Sequence, residues 1–281
     1  MRPGLVLVAT PIGNLADLSP RALAALKAAD AVLCEDSRVT GGLLARQGVA
    51  ATMIPLHDHN EAAQAPRLVE RMMAGEHFAL VSDAGTPLVN DPGYRLVRAA
   101  IEAGVAVSAV PGPNAAVMAL SLSGLPPHPF LFAGFLPARA GPRTAELARL
   151  RGLERAGLGA TLVFFEAPHR LAESLAAMAA AFGAGRPAAV ARELTKRFEE
   201  VRRDDLGTLA DHYATAEARG EICVVVGPAP AEAAGEADLD AALRAAFAAG
   251  LSLRDAAASA AEATGLKRRD VYRRALELGE G

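Results

Sequence analysis

The chain has 281 residues, with 29 Lys+Arg against 32 Asp+Glu, a formal net charge of −3, 52% apolar and 22% charged residues. That is globular composition with room for about two domains, and it excludes a disordered chain and a uniformly basic nucleic-acid coat. No Trp, 4% aromatic residues and only two cysteines, Cys34 and Cys223, argue against long base-stacking platforms, a disulfide scaffold and an all-cysteine zinc site.

In chain order, Leu5–Ala9 reads as a strand, Pro20–Ala29 as a helix opened by Ser19, and Ala31–Glu35 as a strand. Ala62–Ala74 is a helix with Leu68, Val69, Met72 and Met73 on one face. Phe78–Ser82 is a strand, Pro92–Ala103 a helix capped by Asp91, Val105–Val110 a strand and Pro113–Ser121 a helix with Pro113 in its first turn. Strands alternating with helices predict a parallel sheet covered on both faces. Ser123–Pro129, with one glycine and three prolines, marks a boundary between an N-terminal domain (1–123) and a second α/β domain (130–227). The second has strands at Phe130–Leu136, Thr161–Phe165, Ala188–Arg192, Phe198–Arg202 and Ile222–Val226, and helices at Pro168–Phe182 and Leu206–Arg219. Pro228–Asp238 is an Ala/Pro/Glu linker to a helical module, 239–281, with helices Leu243–Ala249, Leu253–Thr264 (Ser252 as cap) and Lys267–Leu278, the last two joined by a turn at Gly265.

No run of about 18 apolar residues predicts a membrane span, and Pro11 interrupts the first apolar run before it reads as a signal peptide. The expectation is a cytoplasmic protein without membrane association. The chain lacks the phosphate loop G-x-x-x-x-G-K-[ST], the dinucleotide G-x-G-x-x-G, the G-x-S-x-G elbow and H-E-x-x-H. His57-Asp58-His59 has no third ligand nearby in sequence, so it reads as a polar loop and no metal is expected.

The informative pattern is a repeated strand-to-helix turn. It occurs at Thr10-Pro11-Ile12-Gly13 through Ser19-Pro20, at Ser82-Asp83-Ala84-Gly85-Thr86-Pro87 through Asp91-Pro92-Gly93, at Val110-Pro111-Gly112-Pro113-Asn114-Ala115, and at Phe165-Glu166-Ala167-Pro168-His169-Arg170. Ligands of parallel sheets bind beyond the carboxyl ends of the strands, where these turns lie, and Gly13, Gly85 and Gly112 leave room for close approach of backbone to a ligand. Four such turns over two domains point to a cleft between them.

These segments, with Leu56-His57-Asp58-His59-Asn60-Glu61, Gly134-Phe135-Leu136-Pro137 and Ala191-Arg192-Glu193-Leu194-Thr195-Lys196, resemble the tetrapyrrole-methylase superfamily of S-adenosylmethionine (SAM) enzymes over roughly residues 4–227. Gly85-Thr86-Pro87 stands where tetrapyrrole enzymes carry Gly-Asp-Pro, which favours the branch that methylates ribosomal RNA. The resemblance implies two α/β domains, a homodimer, and SAM in the cleft against Thr10, Pro11, Leu15, Asp83, Gly85, Thr86, Pro87, Val89, Asn114 and Ala115, with Phe165 and Ile222 as apolar walls. Asp83 either accepts a hydrogen bond from the cofactor or satisfies loop N–H groups. The implied reaction is 2′-O-methylation of a cytidine ribose in the decoding region of small-subunit rRNA.

Such a displacement needs alignment and a group to take the hydroxyl proton. The candidates are Glu166, His169, Arg170, Arg192, Glu193 and Lys196, with Glu166 and Glu193 as proton acceptors and Arg170, Arg192 and Lys196 to hold phosphate or a developing alkoxide. Arg192-Glu193 reads alternatively as a structural ion pair between domains, and for any single member that is the favoured reading. Lys267, Arg268, Arg269, Arg273 and Arg274 give the last helix a basic character, either an RNA-binding helix-turn-helix face or a solvated surface. The competing functions are a corrin-type tetrapyrrole methylase and a SAM- and RNA-binding regulator without catalysis.

Overall fold

A computed structural model describes residues 4–230, 236–264 and 266–279. The chain divides into two compact units, Met1–Gly227 and Pro228–Gly281. The first unit opens with β1 (Gly4–Val8), a 3-10 turn at Leu15–Asp17, α1 (Pro20–Ala28), β2 (Ala31–Cys34), α2 (Ser37–Arg46), β3 (Met53–Pro55), α3 (Glu61–Met73), β4 (His77–Leu80), α4 (Tyr94–Glu102), β5 (Ala106–Val110) and α5 (Ala115–Ser123). Its sheet has the order β3-β2-β4-β1-β5, with every neighbouring pair parallel. β2 and β4 are buried along their whole length, as near-continuous apolar strands in a doubly covered sheet must be. Leu26 and Leu44 of α1 and α2 pack on one face, and Leu68, Met72 and Leu96 of α3 and α4 on the other.

The second lobe of this unit contains β6 (Phe130–Phe135), α6 (Ala140–Arg155), β7 (Thr161–Glu166), a 3-10 turn at Pro168–Arg170, α7 (Leu171–Phe182), β8 (Pro187–Arg192), β9 (Glu200–Asp205), α8 (Leu206–Thr215) and β10 (Ile222–Val226). The sheet order is β6-β7-β10-β8-β9; β6 and β7 are parallel and the other neighbours antiparallel, so this sheet is mixed rather than parallel. α6, α7 and α8 bury Leu147, Leu150, Leu175, Met178 and Leu209 on one face. The other face is covered by α5, through Ala116, Ala119 and Leu120 against Val163, Ala189, Cys223 and Val225. α5 thus follows the last strand of the first sheet and packs on the second, which joins the two lobes into one body.

Several local expectations are corrected. α4 is capped by Gly93 rather than Asp91, and α5 by Asn114, whose side chain accepts from the Val117 N–H, so Pro92 and Pro113 lie before the helices. Phe198 is exposed in a loop, and the strand comes two residues later, because Glu193 and Thr195 both take left-handed backbone and turn the chain after β8. α2, β3 and α6 were not anticipated. Ser19 and Pro20 do open α1, with the Ser19 hydroxyl accepting from the Ala22 N–H.

The second unit holds α9 (Glu236–Ala248), α10 (Leu253–Thr264) and α11 (Arg268–Gly279) around Leu239, Leu243, Ala257, Ala260, Val271 and Ala275. α9 begins inside the stretch read as linker. Residues 231–235 and the turn at Gly265 lie outside the described residues. Ser252 caps α10 as expected, accepting from the Asp255 N–H.

In the second lobe, Glu154 and Arg186 form an ion pair whose side chains are 0% and 1% exposed, and Arg151 adds a contact to the other Glu154 oxygen at 3.1 Å. Removing one partner of a buried pair leaves an uncompensated charge. Arg186→Met is expected to lower unfolding stability by about 3–5 kcal/mol, read as a lower urea midpoint with unchanged slope.

Candidate active site

In the first sheet, β1 leads left to β2 over one face, whereas its neighbour β4 leads right to β5 over the other. Their carboxyl ends therefore flank a crevice, the topological switch point of an open α/β sheet. A two-way backbone bridge fixes its floor. Thr10 N–H donates to the Gly85 carbonyl at 2.8 Å and Gly85 N–H returns to the Thr10 carbonyl at 3.1 Å, while the Thr10 hydroxyl donates to the Ser82 carbonyl. Downstream, Leu88 and Asn90 hold left-handed backbone at φ 70° and 72°. Non-glycine residues adopt it only where the surroundings enforce it, commonly at functional loops.

The second lobe closes over this loop. β6 bulges against β7 at Ala133, and a Cβ on Gly134 would lie 2.7 Å from Asn90 Oδ1. On the opposite rim, a Cβ on Gly13 would lie 2.4 Å from the Lys196 stem. Between the lobes is a cavity of about 370 Å³, lined by Ile12, Asp83, Ala84, Gly85, Thr86, Val89, Asn90, Asp91, Asn114, Ala115, Phe135, Phe165, Glu166, Ala167, Pro168, Ala191, Leu194, Gly220, Glu221, Ile222 and Cys223. Burial pushes the Cys223 thiol up to about 12, so it serves as an apolar wall.

Of the residues expected at a cofactor, Asp83, Gly85, Thr86, Val89, Asn114, Ala115, Phe165 and Ile222 line the cavity; Thr10, Pro11, Leu15 and Pro87 do not. Thr10 and Pro11 are buried behind the wall, Pro87 is buried in the loop, and Leu15 is 38% exposed outside it. The Thr86 hydroxyl donates to the Pro113 carbonyl at 3.0 Å and so ties two of the turns together. The glycines serve chain packing as much as ligand approach: Gly13 admits Lys196, Gly112 admits Ala9, and Gly85 faces Ile12.

The candidate catalytic residues are mostly engaged with one another. Glu166 is 2% exposed; it accepts from the Ser174 hydroxyl at 2.5 Å and from the Ala167 N–H at 2.8 Å, and faces Arg170 Nε at 3.3 Å. Arg170 also donates to the Leu136 carbonyl. Both brace the turn after β7. Arg192 pairs with Glu200 at 2.5 Å across the β8–β9 ladder, away from the cavity. Glu193 accepts from Lys196 at 2.8 Å and from the Glu221 N–H at 3.1 Å, and the lysine holds its carboxyl below the usual range. Burial pulls the Lys196 ammonium down, but the hydrogen bonds to Glu193 and Glu221 outweigh it and leave its pKa raised. His169 is exposed on the far side of the turn.

A carboxylate group at the crevice was not recognised in the sequence. Asp91, read as a helix cap, lines the cavity, and burial with the charges of Glu35 and Asp83 pushes its carboxyl up to about 7. Asp83 accepts from the Asp36 N–H at 3.1 Å and so satisfies a loop N–H group. The residues lining the cavity include four carboxylates and no Lys or Arg. Such a lining accommodates a cationic or neutral ligand.

In the tail unit, Arg274 makes a two-pronged pair with Asp240 at 2.7 Å and meets Glu277, so it holds α11 to α9. Arg273 and Arg269 both face Asp270. Lys267 and Arg268 make no ion pair with the described residues.

A parallel sheet with its crevice closed by a second, mixed sheet defines a two-lobed α/β enzyme that holds its ligand between the lobes. Residues 4–210 match the model of the tetrapyrrole (corrin/porphyrin) methylases, and residues 233–279 that of the RsmI C-terminal HTH domain. The chain belongs to the tetrapyrrole methylase family. It is 54% identical over 230 residues to a protein of Mesorhizobium japonicum named ribosomal RNA small subunit methyltransferase I, covering 82% of this chain and 76% of that one. A protein of the same name from Xylella fastidiosa is 50% identical, with 80% and 81% covered. Among solved structures, uroporphyrin-III-C-methyltransferase from Thermus thermophilus superposes with a TM-score of 0.53 at 25% identity, covering 80% of this chain and 94% of that one.

The enzymes of this family take their methyl group from SAM. The cavity fits that cofactor: its volume is in the range of small-molecule sites, its walls are largely apolar, and its charged lining groups are carboxylates that match a sulfonium cation.

Proposed function

We propose that this enzyme methylates the 2′-hydroxyl of a cytidine ribose in the decoding region of small-subunit ribosomal RNA, in the cytoplasm and as a homodimer. The observation that carries the reading is the pairing of a methylase cleft with a C-terminal unit matching the RsmI tail, which a tetrapyrrole enzyme would have little use for. The names of the relatives at 50–54% identity point to small-subunit ribosomal RNA as the substrate.

Bound SAM supplies an electrophilic methyl group. Gly85, Thr86, Val89, Asn114 and Ala115 present one wall to it and Phe165 and Ile222 the other. Thr10, Pro11 and Pro87 support the first wall from behind, and Leu15 lies at its outer edge. Glu166 and Arg170 keep the β7 turn in place; Glu193 and Lys196 hold the rim over Gly13. Arg192 acts through Glu200 on the β8–β9 hairpin. Positioning of the two reactants accounts for a large part of the rate. The expected outcome is loss of a single ribose methylation in small-subunit rRNA from cells lacking the protein, restored by the wild-type gene; mass-spectrometric mapping that finds rRNA methylation unchanged would remove the assignment.

RNA affinity is assigned to α11 and the residue before it, with Lys267 and Arg268 the residues free to meet phosphate, Arg269 and Arg273 shared with Asp270, and Arg274 kept for α9. Lys267→Ala with Arg268→Ala is expected to weaken binding of the small subunit and to flatten its salt dependence by roughly 0.7–0.9 per lost phosphate contact. SAM affinity measured by calorimetry should stay the same.

For the dimer, the support is an unpartnered apolar surface. β5 is an edge strand with Ala106, Ser108 and Ala109 exposed, and the strongly apolar α5 leaves Val117 46% and Met118 42% exposed. Met118→Glu is expected to shift the sedimentation coefficient from dimer to monomer.

A further inference from the structure

We propose that Asp91 is the group that takes the proton from the attacking ribose hydroxyl. The assignment rests on the 2′-O reading above and deepens it.

Four carboxylates line the cavity, and three of them are committed. Glu166 is buried and saturated by Ser174, the Ala167 N–H and Arg170. Asp83 accepts from the Asp36 N–H. Glu221, with a side chain 70% exposed, pairs with Lys196. Asp91 alone among them has no hydrogen bond or ion pair to the described residues. Glu193, the remaining acceptor suggested by the sequence, is held by Lys196 and the Glu221 N–H.

The loop around Asp91 is built at a cost. Leu88 and Asn90 sit in left-handed backbone immediately before it. Gly93, at φ 123°, follows it, and a Cβ there would lie 2.7 Å from Leu80 Cδ2. Three positions with positive φ within six residues shape the backbone on either side of Asp91, on the wall that also carries Gly85 and Thr86.

The groups facing Asp91 suit it to the task. Glu35, after β2, and Asp83, after β4, both oppose its ionisation, and burial does so more strongly; its carboxyl titrates at about 7. Glu35 is itself faced by Asp83, Asp58, His57 and Asp36. A general base is most effective when its pKa lies near the working pH. In the step, the ribose oxygen bonds to the methyl carbon as the methyl–sulfur bond breaks. That electron pair remains on sulfur, the hydroxyl proton passes to the Asp91 carboxylate, and water later removes it.

The test begins with methyl transfer to small ribosomal subunits by the wild-type protein. Absence of ribose methylation there overturns the proposed function; the arms below concern Asp91 itself. Asp91→Asn is expected to lower the single-turnover rate by roughly 10²–10⁴-fold with SAM affinity kept within a few fold. The wild-type rate should rise with pH and level off above about 7, and Glu35→Gln should move that limb to lower pH by removing a like charge. A readout independent of turnover is the melting temperature. Because folding raises the Asp91 pKa from 3.8 to about 7, its neutral form favours the fold below that window and its charge opposes the fold above it. Wild type should therefore lose stability relative to Asp91→Asn as pH rises from 4 to 7. Near-normal transfer by Asp91→Asn, or a wild-type rate flat from about pH 6 to 8, would overturn the assignment. So would a limb that Glu35→Gln leaves in place, an arm that does not depend on the asparagine variant folding.

Discussion

The pair of backbone hydrogen bonds between Thr10 and Gly85 is the constraint on which the site depends. It joins the ends of two neighbouring strands whose connections leave for opposite faces of the sheet, and so holds open a crevice that would otherwise be filled by loops. The Thr86–Pro113 and Thr10–Ser82 bonds extend the arrangement, so that three of the turns share one rigid floor. The side chains that tie this floor together are short hydroxyls, those of Thr10, Ser82 and Thr86, each donating to a backbone carbonyl. Its shape is set by main-chain geometry, which accounts for the density of glycine and proline there.

The second lobe completes the site by close approach at two rims. Gly134 accepts the Asn90 side chain on one, and Gly13 accepts the Lys196 stem on the other. Between them, α5 is bound to the second sheet by Ala116, Ala119 and Leu120. The charged residues of the second lobe that drew attention in the sequence act mainly as braces, because ionised groups at partly buried rims need partners.

Much of the architecture was legible because the strands are apolar runs of conventional length and the turns carry strong signals; Ile222–Val226 and Leu253–Thr264 were read to the residue. α2 was missed because Gly41 and Gly42 stand in its centre and depress helix propensity. α6 was missed because two of its four buried residues are Arg143 and Glu154, which hide its period from a hydrophobicity reading. β9, Glu-Val-Arg-Arg-Asp-Asp, has no apolar alternation and is held by its ladder with β8. At the site, the motifs located the cavity walls well, but not the state of each carboxylate. Whether Glu166, Glu193 or Asp91 is free depends on Ser174, Lys196 and Glu35, which lie 8, 3 and 56 positions away from them respectively.

The acidic lining of the cavity bears on the end of the catalytic cycle as well as its start. The methyl donor enters with a positive sulfur and leaves, after transfer, as an uncharged thioether. Carboxylates at the lining, with no lysine or arginine among the lining residues, favour the first over the second. Whatever part of the attraction for the donor is owed to its positive sulfur is therefore lost once the methyl group has gone, which favours exchange of spent cofactor for fresh.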